Sequence, residues 1–327
     1  MAGKRLWIGV DIGGTAIKAG VVDEGGRIVE KREIPTATHE GPDRVLERLV
    51  NLIVELKSVA DDAGAAVGGV GVGVPGPALD VERGVVIQAV NLGWENVPLR
   101  DRLVAGLPGL PVAVDNDANL AALGEAWTGG GRGAQDLLVI TVGTGVGGGV
   151  VIGGRVHHGA DGLAGEIGHV TVRPEGGHRC NCGKTGCLET EASATAIIRE
   201  ATAAAQSGRS ARLAEALAQN GALTARDVVE AAQAGDGVAQ AILAHAGQTL
   251  GLALANAANL LNPERIVVGG GVSHAGELLF APLREAYRAY ALPAVAKRPV
   301  VPAELGNDAG LIGAACLAMQ QVDVRFA

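Results

Sequence analysis

The sequence predicts an α/β protein built from two similar halves. Short apolar runs that end at glycine turns alternate with segments of helical period, a pattern typical of buried sheets covered by helices. The chain has 327 residues, which at roughly 150 residues per domain is enough for about two domains. Glycine accounts for 51 residues, about twice its usual share of ~7%.

Composition and charge exclude several classes of protein. The formal net charge of −8 argues against broad binding to nucleic acid or acidic membranes. Four cysteines are too few for a disulfide framework. The first ten residues lack a signal-peptide core, and the uncharged run 137–154 is too rich in glycine for a spanning helix. We expect a cytoplasmic protein with no nucleic-acid or membrane partner.

The first half alternates strands and helices. Residues 5–35 form three apolar runs separated by glycine turns, which predicts a three-stranded meander. Apolar spacing then predicts a helix over 42–63. The following segments predict, in order, a strand at 67–75, a strand at 84–90, a loop at 91–97, a helix near 98–105, a strand at 111–116 and a helix near 118–128. Glu125 in that last helix is more simply a solvated charge than a functional group.

The second half repeats the pattern of the first. Asp11, Gly13 and Gly14 fall against Thr141, Gly143 and Thr144 at an offset of 130, which predicts an internal duplication. Further on, the sequence predicts helices at 224–234 and 237–261, a buried strand at 265–272, a helix near 277–290, a strand at 299–305 and a final helix near 309–320.

Three glycine-rich turns follow predicted strands, and they are candidate phosphate-binding loops. They lie at 11–15, 141–145 and 269–271, where backbone N–H groups without neighbouring side chains can approach an anion. Asp11 beside such a loop favours a nucleotide bound with Mg²⁺, whereas Lys18 is either a phosphate partner or a solvated charge. Neither a dinucleotide fingerprint followed by a helix nor a P-loop is present. The glycines at 68–76 are likewise expected where the backbone turns tightly or approaches a ligand.

Cys180, Cys182 and Cys187 form a compact cluster. Three thiols this close together indicate a structural Zn²⁺ completed by a histidine. On spacing alone, His169 and His178 compete for the fourth position. Cys316 lies in an apolar helix and is expected in the core.

These motifs resemble the ROK family of sugar kinases and sugar-responsive repressors, within the actin-like, hexokinase-type ATPase superfamily. The most specific match is Glu166-x-Gly168-His169 followed by Cys180-x-Cys182-Gly183-x-x-Gly186-Cys187-x-Glu189, and it is most similar to the ATP-dependent glucokinase branch. The resemblance implies a duplicated actin-like (ribonuclease H-like) α/β fold with two domains around a cleft. It also selects His169 over His178 as the fourth zinc ligand.

The resemblance carries functional roles to matching positions. It implies that the sugar is held by a set of polar side chains: Asn91, Asn116, Asp117, Glu166, His169 and Glu189. Asp117 matches the catalytic base; on sequence alone an aspartate there is as readily a helix N-cap, although Asn116 or Asp115 is able to fill that role. The nucleotide-binding positions are Asp11, Gly13, Gly14, Thr15, Lys18, Thr141, Gly143, Thr144, Gly145, Gly270 and Gly271.

The expected activity is transfer of phosphate from ATP, bound with Mg²⁺, to the 6-hydroxyl of glucose. Fructokinase and the N-acetylmannosamine and N-acetylglucosamine kinases share most of these motifs and remain alternatives. The repressor branch is disfavoured because only ten residues precede Asp11. The predicted smaller domain holds residues 1–113 and 307–327, and the larger one holds 114–306 with the zinc loop. The family implies a homodimer or homotetramer.

Overall fold

The computed structural model describes residues 5–76 and 78–322 of the chain. The strands among these residues are β1 (Arg5–Ile12), β2 (Ala16–Asp23), β3 (Ile28–Pro35), β4 (Ala66–Val74), β5 (Ala78–Asp80), β6 (Val85–Ala89), β7 (Trp94–Val97), β8 (Val112–Asn116), β9 (Leu137–Val142), β10 (Val146–Ile152), β11 (Arg155–Val156), β12 (Arg265–Gly269) and β13 (Val300–Pro302). The α-helices are α1 (Pro42–Asp62), α2 (Leu99–Gly106), α3 (Asp117–Trp127), α4 (Leu188–Ala192), α5 (Ala194–Gln206), α6 (Ala211–Asn220), α7 (Ala225–Gln233), α8 (Gly237–Leu261), α9 (Glu277–Tyr290) and α10 (Ala309–Val322).

Two five-stranded sheets repeat one strand order. The first has the order β3-β2-β1-β4-β8 and the second β11-β10-β9-β12-β13, while β5, β6 and β7 form a small third sheet. In the first sheet β1 is antiparallel to β2 and parallel to β4, which is parallel to β8. In the second, β12 is parallel to both β9 and β13. The shared order confirms the duplicated α/β fold that the sequence predicts.

Packing divides the chain into two compact units. Unit 1 comprises Met1–Gln135, Gly149–Gly165 and Glu304–Ala327, and unit 2 comprises Asp136–Gly148 and Glu166–Ala303. The boundaries predicted from the sequence, at 113 and 306, stay a prediction, and the outermost residues of the predicted smaller domain, 1–4 and 323–327, lie outside the described residues.

Glycines in unit 1 bring the last helix close to the sheet. A Cβ atom on Gly71 would overlap the carbonyl oxygen of Ala314, and one on Gly9 would overlap that of Leu311. On the other side of α10, a Cβ on Gly313 would overlap the carbonyl of Leu120 in α3. The expectation that the glycines at 68–76 lie at tight turns or ligand contacts is therefore wrong for Gly71, which is in the middle of β4 and makes room for α10.

Helix α8 is the one described helix with the length and apolarity of a membrane span. Half of its most apolar window is buried inside the structure. It packs on α9 within unit 2, where a Cβ on Gly247 would lie 2.5 Å from the carbonyl oxygen of Leu279. These contacts are those of a core helix.

Further details of unit 1 differ from the sequence-based expectations. The segment 91–97, predicted as a loop, contains β7, because Trp94 and Val97 are both buried in the core of unit 1. Glu125, expected to be solvated, is 2% exposed. Its carboxylate accepts hydrogen bonds from the backbone N–H groups of Gly130, Glu304 and Leu305 at 2.8, 3.1 and 2.8 Å, which offsets the cost of burying the charge.

Candidate active site and metal centre

Two parallel strands of unit 1, β1 and β8, carry polar residues at the same edge of the sheet. Asp11 on β1 is in register with Gly73 on β4, which is in register with Asp115 on β8. A Cβ on Gly73 would lie 3.7 Å from the Cα of Asp117, so this glycine allows α3 to begin close to β4. Ligands in α/β proteins bind outside the carboxyl ends of parallel strands, and this edge is the candidate site of unit 1.

Asp11 is a largely buried carboxylate at that edge. Burial raises its pKa, and the positive charge of Lys18, its cross-strand partner on β2, acts in the opposite direction. A cation beside Asp11 would favour its ionised form further. Lys18 is therefore the cross-strand neighbour of Asp11, and its role as a phosphate partner stays a prediction.

The first glycine loop is held by its neighbours in unit 1. The hydroxyl of buried Thr36 donates to the carbonyl of Gly13 at 2.6 Å, and its N–H donates to the carbonyl of Thr15 at 2.9 Å. A Cβ on Gly14 would lie 3.3 Å from the carbonyl oxygen of Asn91. The loop and the Asn91 turn are thus in contact.

Asn116 caps helix α3. Its side-chain oxygen accepts from the N–H groups of Ala118 and Asn119 at 2.9 and 3.2 Å, and its amide donates to the carbonyl of Gly76 at 3.0 Å. Asp117, the first residue of the helix, also accepts from Ala118 at 2.9 Å. Because Asn116 satisfies the N-terminal amides, the capping interpretation does not account for Asp117.

The sequence-based reasoning gave no role to the contact between Asp115 and His158. Asp115 is fully buried, and its carboxylate accepts from the side-chain amide of Asn119 at 3.1 Å and lies 2.7 Å from His158 Nε2. This hydrogen bond raises the pKa of His158 against the opposing effect of burial. The pair is 43 residues apart in sequence, so no local motif reveals it.

In unit 2 the second and third glycine loops lie side by side. Thr141 on β9 is in register with Gly269 on β12, and a Cβ on Gly270, whose φ is +87°, would lie 2.5 Å from the carbonyl of Val142. Gly271 begins the short 3-10 helix that follows. Only glycine fits position 270 without moving the neighbouring loop.

The loop of residues 143–145 is fastened to the start of α5. The carbonyl of Gly143 accepts from the N–H of Ala194 at 2.8 Å, and the carbonyl of Thr144 accepts from the hydroxyl of Thr195 at 2.7 Å. A Cβ on Gly145 would lie 2.8 Å from Glu189 Oε2. The loop and Glu189 are therefore neighbours.

Four predicted metal ligands lie together in unit 2. The ligand atoms of His169, Cys180, Cys182 and Cys187 are all within 4.8 Å of one another. The Cys182 and Cys187 sulfurs are 3.6 Å apart, as are the Cys180 sulfur and His169 Nδ1. Tetrahedral Zn²⁺ with Zn–S bonds of ~2.3 Å would separate its sulfur ligands by about 3.8 Å. The donor set and its spacing fit zinc.

The competing histidine is engaged elsewhere. The backbone N–H of His178 donates to buried Glu191 at 3.2 Å, and its Nε2 lies 3.7 Å from a Glu200 oxygen. His178 therefore contacts Glu191 and Glu200 and is not among the four clustered residues.

His169 links the metal cluster to two carboxylates. Its Nδ1 faces Cys180 and lies 3.7 Å from Glu189 Oε1, while its Nε2 lies 3.7 Å from Glu166 Oε2. Glu189 Oε1 is also 2.9 Å from the Cys180 sulfur. Glu166 and Glu189, the other two predicted sugar-binding residues of unit 2, thus each lie near one nitrogen of the His169 ring.

The three thiols of the cluster differ in proton affinity. Burial, followed by the hydrogen bond to Glu189, raises the pKa of Cys180 to about 12, and burial also raises the pKa of Cys187. The backbone N–H of Lys184 lowers the pKa of exposed Cys182. A bound divalent cation would reverse the burial effect, since coordinated thiols are deprotonated.

Comparison with known proteins identifies the relatives of this chain. The family model described as ROK family matches residues 7–321. The glucokinase of Halalkalibacterium halodurans is 48% identical over 318 residues, covering 97% of this chain and 96% of the relative.

Two solved structures are similar over nearly their whole length. The ROK hexokinase from Thermus thermophilus has a TM-score of 0.83 at 39% identity, covering 97% of this chain and 99% of that one. A ROK family glucokinase from Streptomyces griseus, in complex with glucose and AMPPNP, has a TM-score of 0.78 at 38% identity, covering 96% and 99%.

Proposed function

This chain belongs to the ROK family, and from that premise we propose that it is an ATP-dependent glucokinase that phosphorylates the 6-hydroxyl of glucose. The observation that carries the proposal is the position of Asp117, at the carboxyl end of β8, beside the Asn116 cap and at the edge that Asp11 and the first glycine loop share. Relatives named glucokinase, up to 48% identical over nearly the whole chain, support the same activity.

Asp117 is the proposed general base. Phosphoryl transfer to an alcohol needs a carboxylate that accepts the hydroxyl proton as the new P–O bond forms. The side chain is half-buried, which keeps it accessible to a sugar hydroxyl. Asn116, held by its own bonds to Gly76 and the helix start, would fix the direction from which the sugar approaches.

The phosphates of ATP are proposed to lie against the glycine loops. The backbone around Gly13, Gly14 and Thr15 in unit 1, and around Thr141 and residues 143–145 in unit 2, supplies N–H donors for phosphate oxygens. Gly270 and Gly271 are proposed to contact the nucleoside. Mg²⁺ bound with the nucleotide would neutralise phosphate charge, and Asp11 is the carboxylate proposed to hold its water shell.

We propose that carboxylates, amides and one imidazole bind glucose through hydrogen bonds to its hydroxyl groups. Asn91 and Asn116 in unit 1, and Glu166, His169 and Glu189 in unit 2, offer donors and acceptors suited to a ring of hydroxyl groups. Because His169 Nδ1 faces the sulfur cluster, Nε2 is the nitrogen available to the sugar.

The His169–Cys180–Cys182–Cys187 cluster is proposed to hold structural Zn²⁺. When bound, zinc would cross-link the segments that carry Glu166 and Glu189. The free thiols of this cluster suit a reducing compartment, so we propose that the protein acts in the cytoplasm. We also propose a homo-oligomer, dimer or tetramer, following the family.

The proposed activity is tested by a coupled ADP-release assay with MgATP across glucose, mannose, fructose, N-acetylmannosamine and N-acetylglucosamine. We expect the highest kcat/KM for glucose, with glucose 6-phosphate as the product. A higher kcat/KM for an N-acetyl hexosamine or fructose would reassign the substrate. The absence of sugar-dependent ADP release with every acceptor would contradict the kinase assignment.

A further inference from the structure

A basic cavity lies in unit 2, between α9 and the segment that leads into β13. Its volume is about 650 Å³, and its lining includes Arg284, Tyr287, Arg288, Lys297, Arg298 and Val300. Four cationic side chains thus converge on one cavity of a chain whose net charge is −8. The size falls within the ~300–1,000 Å³ typical of small-molecule sites.

This cavity is separate from the glycine loops. Val300, in its lining, pairs with Ile266 near the beginning of β12, whereas the third glycine loop follows Gly269 at the other end of that strand. Three residues of strand correspond to roughly 10 Å. A ligand in the cavity therefore lies at the opposite edge of the parallel strands from the proposed nucleotide phosphates.

Three contacts hold the side chain of Arg284 in place at the cavity. Its guanidinium donates to Glu277 at 2.8 Å and to the carbonyl of Val300 at 3.2 Å, and it stacks over the Phe280 ring at 5.0 Å from the centroid. The hydroxyl of Tyr287 donates to the carbonyl of Val295 at 2.8 Å. These bonds order the lining before any ligand arrives, which lowers the entropic cost of binding.

The other three cations lack a compensating charge. Among residues 5–76 and 78–322, no carboxylate lies within ion-pair distance of Arg288, Lys297 or Arg298. The Arg298 Nε–H group is also buried without a hydrogen-bond acceptor. An unsatisfied buried donor is costly, and an anion that accepts from it would remove that cost.

We propose that this cavity is a second anion site, specific for the phosphoryl group of a small molecule. A phosphomonoester carries a charge of about −1.5 to −2 at pH 7, which matches the uncompensated cations. The planar fork of arginine pairs with phosphate oxygens through two parallel hydrogen bonds. Because no residue of the proposed catalytic site lines the cavity, the proposal stands independently of the kinase assignment.

The test is isothermal titration of the full chain with three probes: inorganic phosphate, tripolyphosphate and glucose 6-phosphate. Glucose and AMPPNP are present at saturation, so that the candidate phosphate loops are occupied. The test variant is Arg288→Gln with Lys297→Gln, two exposed positions. The matched control is Arg226→Gln, which removes one positive charge from α7 and leaves the cavity intact.

We expect at least one probe to bind the wild-type chain and the control equally, and to bind the double variant at least tenfold more weakly. Comparing the three probes identifies whether phosphate alone, a phosphate chain or a sugar phosphate is preferred. Arg298→Gln should weaken the same probe by a similar factor, and kcat/KM for glucose should be unchanged in every variant. The proposal is overturned if no probe binds below about 10 mM, or if the double variant binds as tightly as the wild type.

Discussion

The glycine loops that follow β1 and β9 occupy equivalent places in two sheets of the same strand order, but their surroundings differ. The loop after β1 is flanked by buried Asp11 and is fixed by the hydroxyl of Thr36. The loop after β9 has Thr141 in place of the acid, is fixed by the start of α5, and lies against Glu189.

Duplication therefore explains the shared strand order of the two sheets. It does not explain the different side chains around the two loops. The first loop has the acid suited to a metal–phosphate complex, and the second is connected through Glu189 to the cysteine cluster. Substitutions at the two loops and at the contacts around them should therefore have unequal effects on activity.

The two loops should respond unequally when their first polar residue is removed. We expect Asp11→Asn to lower kcat by ~10²–10³-fold, the range for losing a group that stabilises charge in the transition state. Thr141→Ala should cost only about tenfold, equivalent to ~1.4 kcal/mol. Steady-state kinetics at several Mg²⁺ concentrations measures both, and equal losses would remove the distinction between the loops.

Removing a proposed metal ligand should weaken sugar binding, because the cluster holds the segments that carry Glu166 and Glu189. Cys182→Ala is expected to raise the glucose Kd by ~10–100-fold, as when the support of a metal site is lost. Cys316→Ala is the control, because Cys316 is buried in α10. Metal content and calorimetry measure the effect; an unchanged Kd after verified metal loss would contradict it.

A methyl group between the second loop and Glu189 should have a smaller effect. Gly145→Ala places a Cβ 2.8 Å from Glu189 Oε2, so that flexible side chain must shift, and the glucose KM should rise by about fivefold, or ~1 kcal/mol. A Cβ on Gly143 would have no other atom within 4 Å. Gly143→Ala should therefore leave the glucose KM unchanged. An equal change in the glucose KM of both variants would contradict a role for the contact between Gly145 and Glu189.

The Asp115–His158 pair should make the stability of unit 1 depend on pH. The folded-state pKa of His158 is raised, so the stabilisation is complete below the unfolded pKa of ~6.5 and is lost as pH rises through the folded value. We expect His158→Gln to cost about 1 kcal/mol at low pH, discounted because the ring is partly exposed, and less at high pH. Urea unfolding measures the difference; a cost that does not change with pH would refute it.

Local patterns predicted most of the fold, and long-range contacts limited the rest. The apolar spacing of α1 and the glycine turns of β1–β3 are contained in short segments, and so are the proposed zinc ligands, which fall within 19 residues from His169 to Cys187. Glu125 was misjudged because the amides that it accepts from, at 304 and 305, are about 180 residues away. The bond between Asp115 and His158 was missed for the same reason.

As the proposed general base, Asp117 accepts the proton of the sugar hydroxyl during phosphoryl transfer. Asp117→Asn keeps the size of the side chain, and Asn116 remains to cap the helix, so glucose binding measured by calorimetry should be retained. Turnover in the coupled ADP-release assay should fall by about three orders of magnitude or more, at the strong end of general-base contributions of ~10²–10⁴-fold. Near-wild-type turnover in a folded, glucose-binding Asp117→Asn variant would contradict the account.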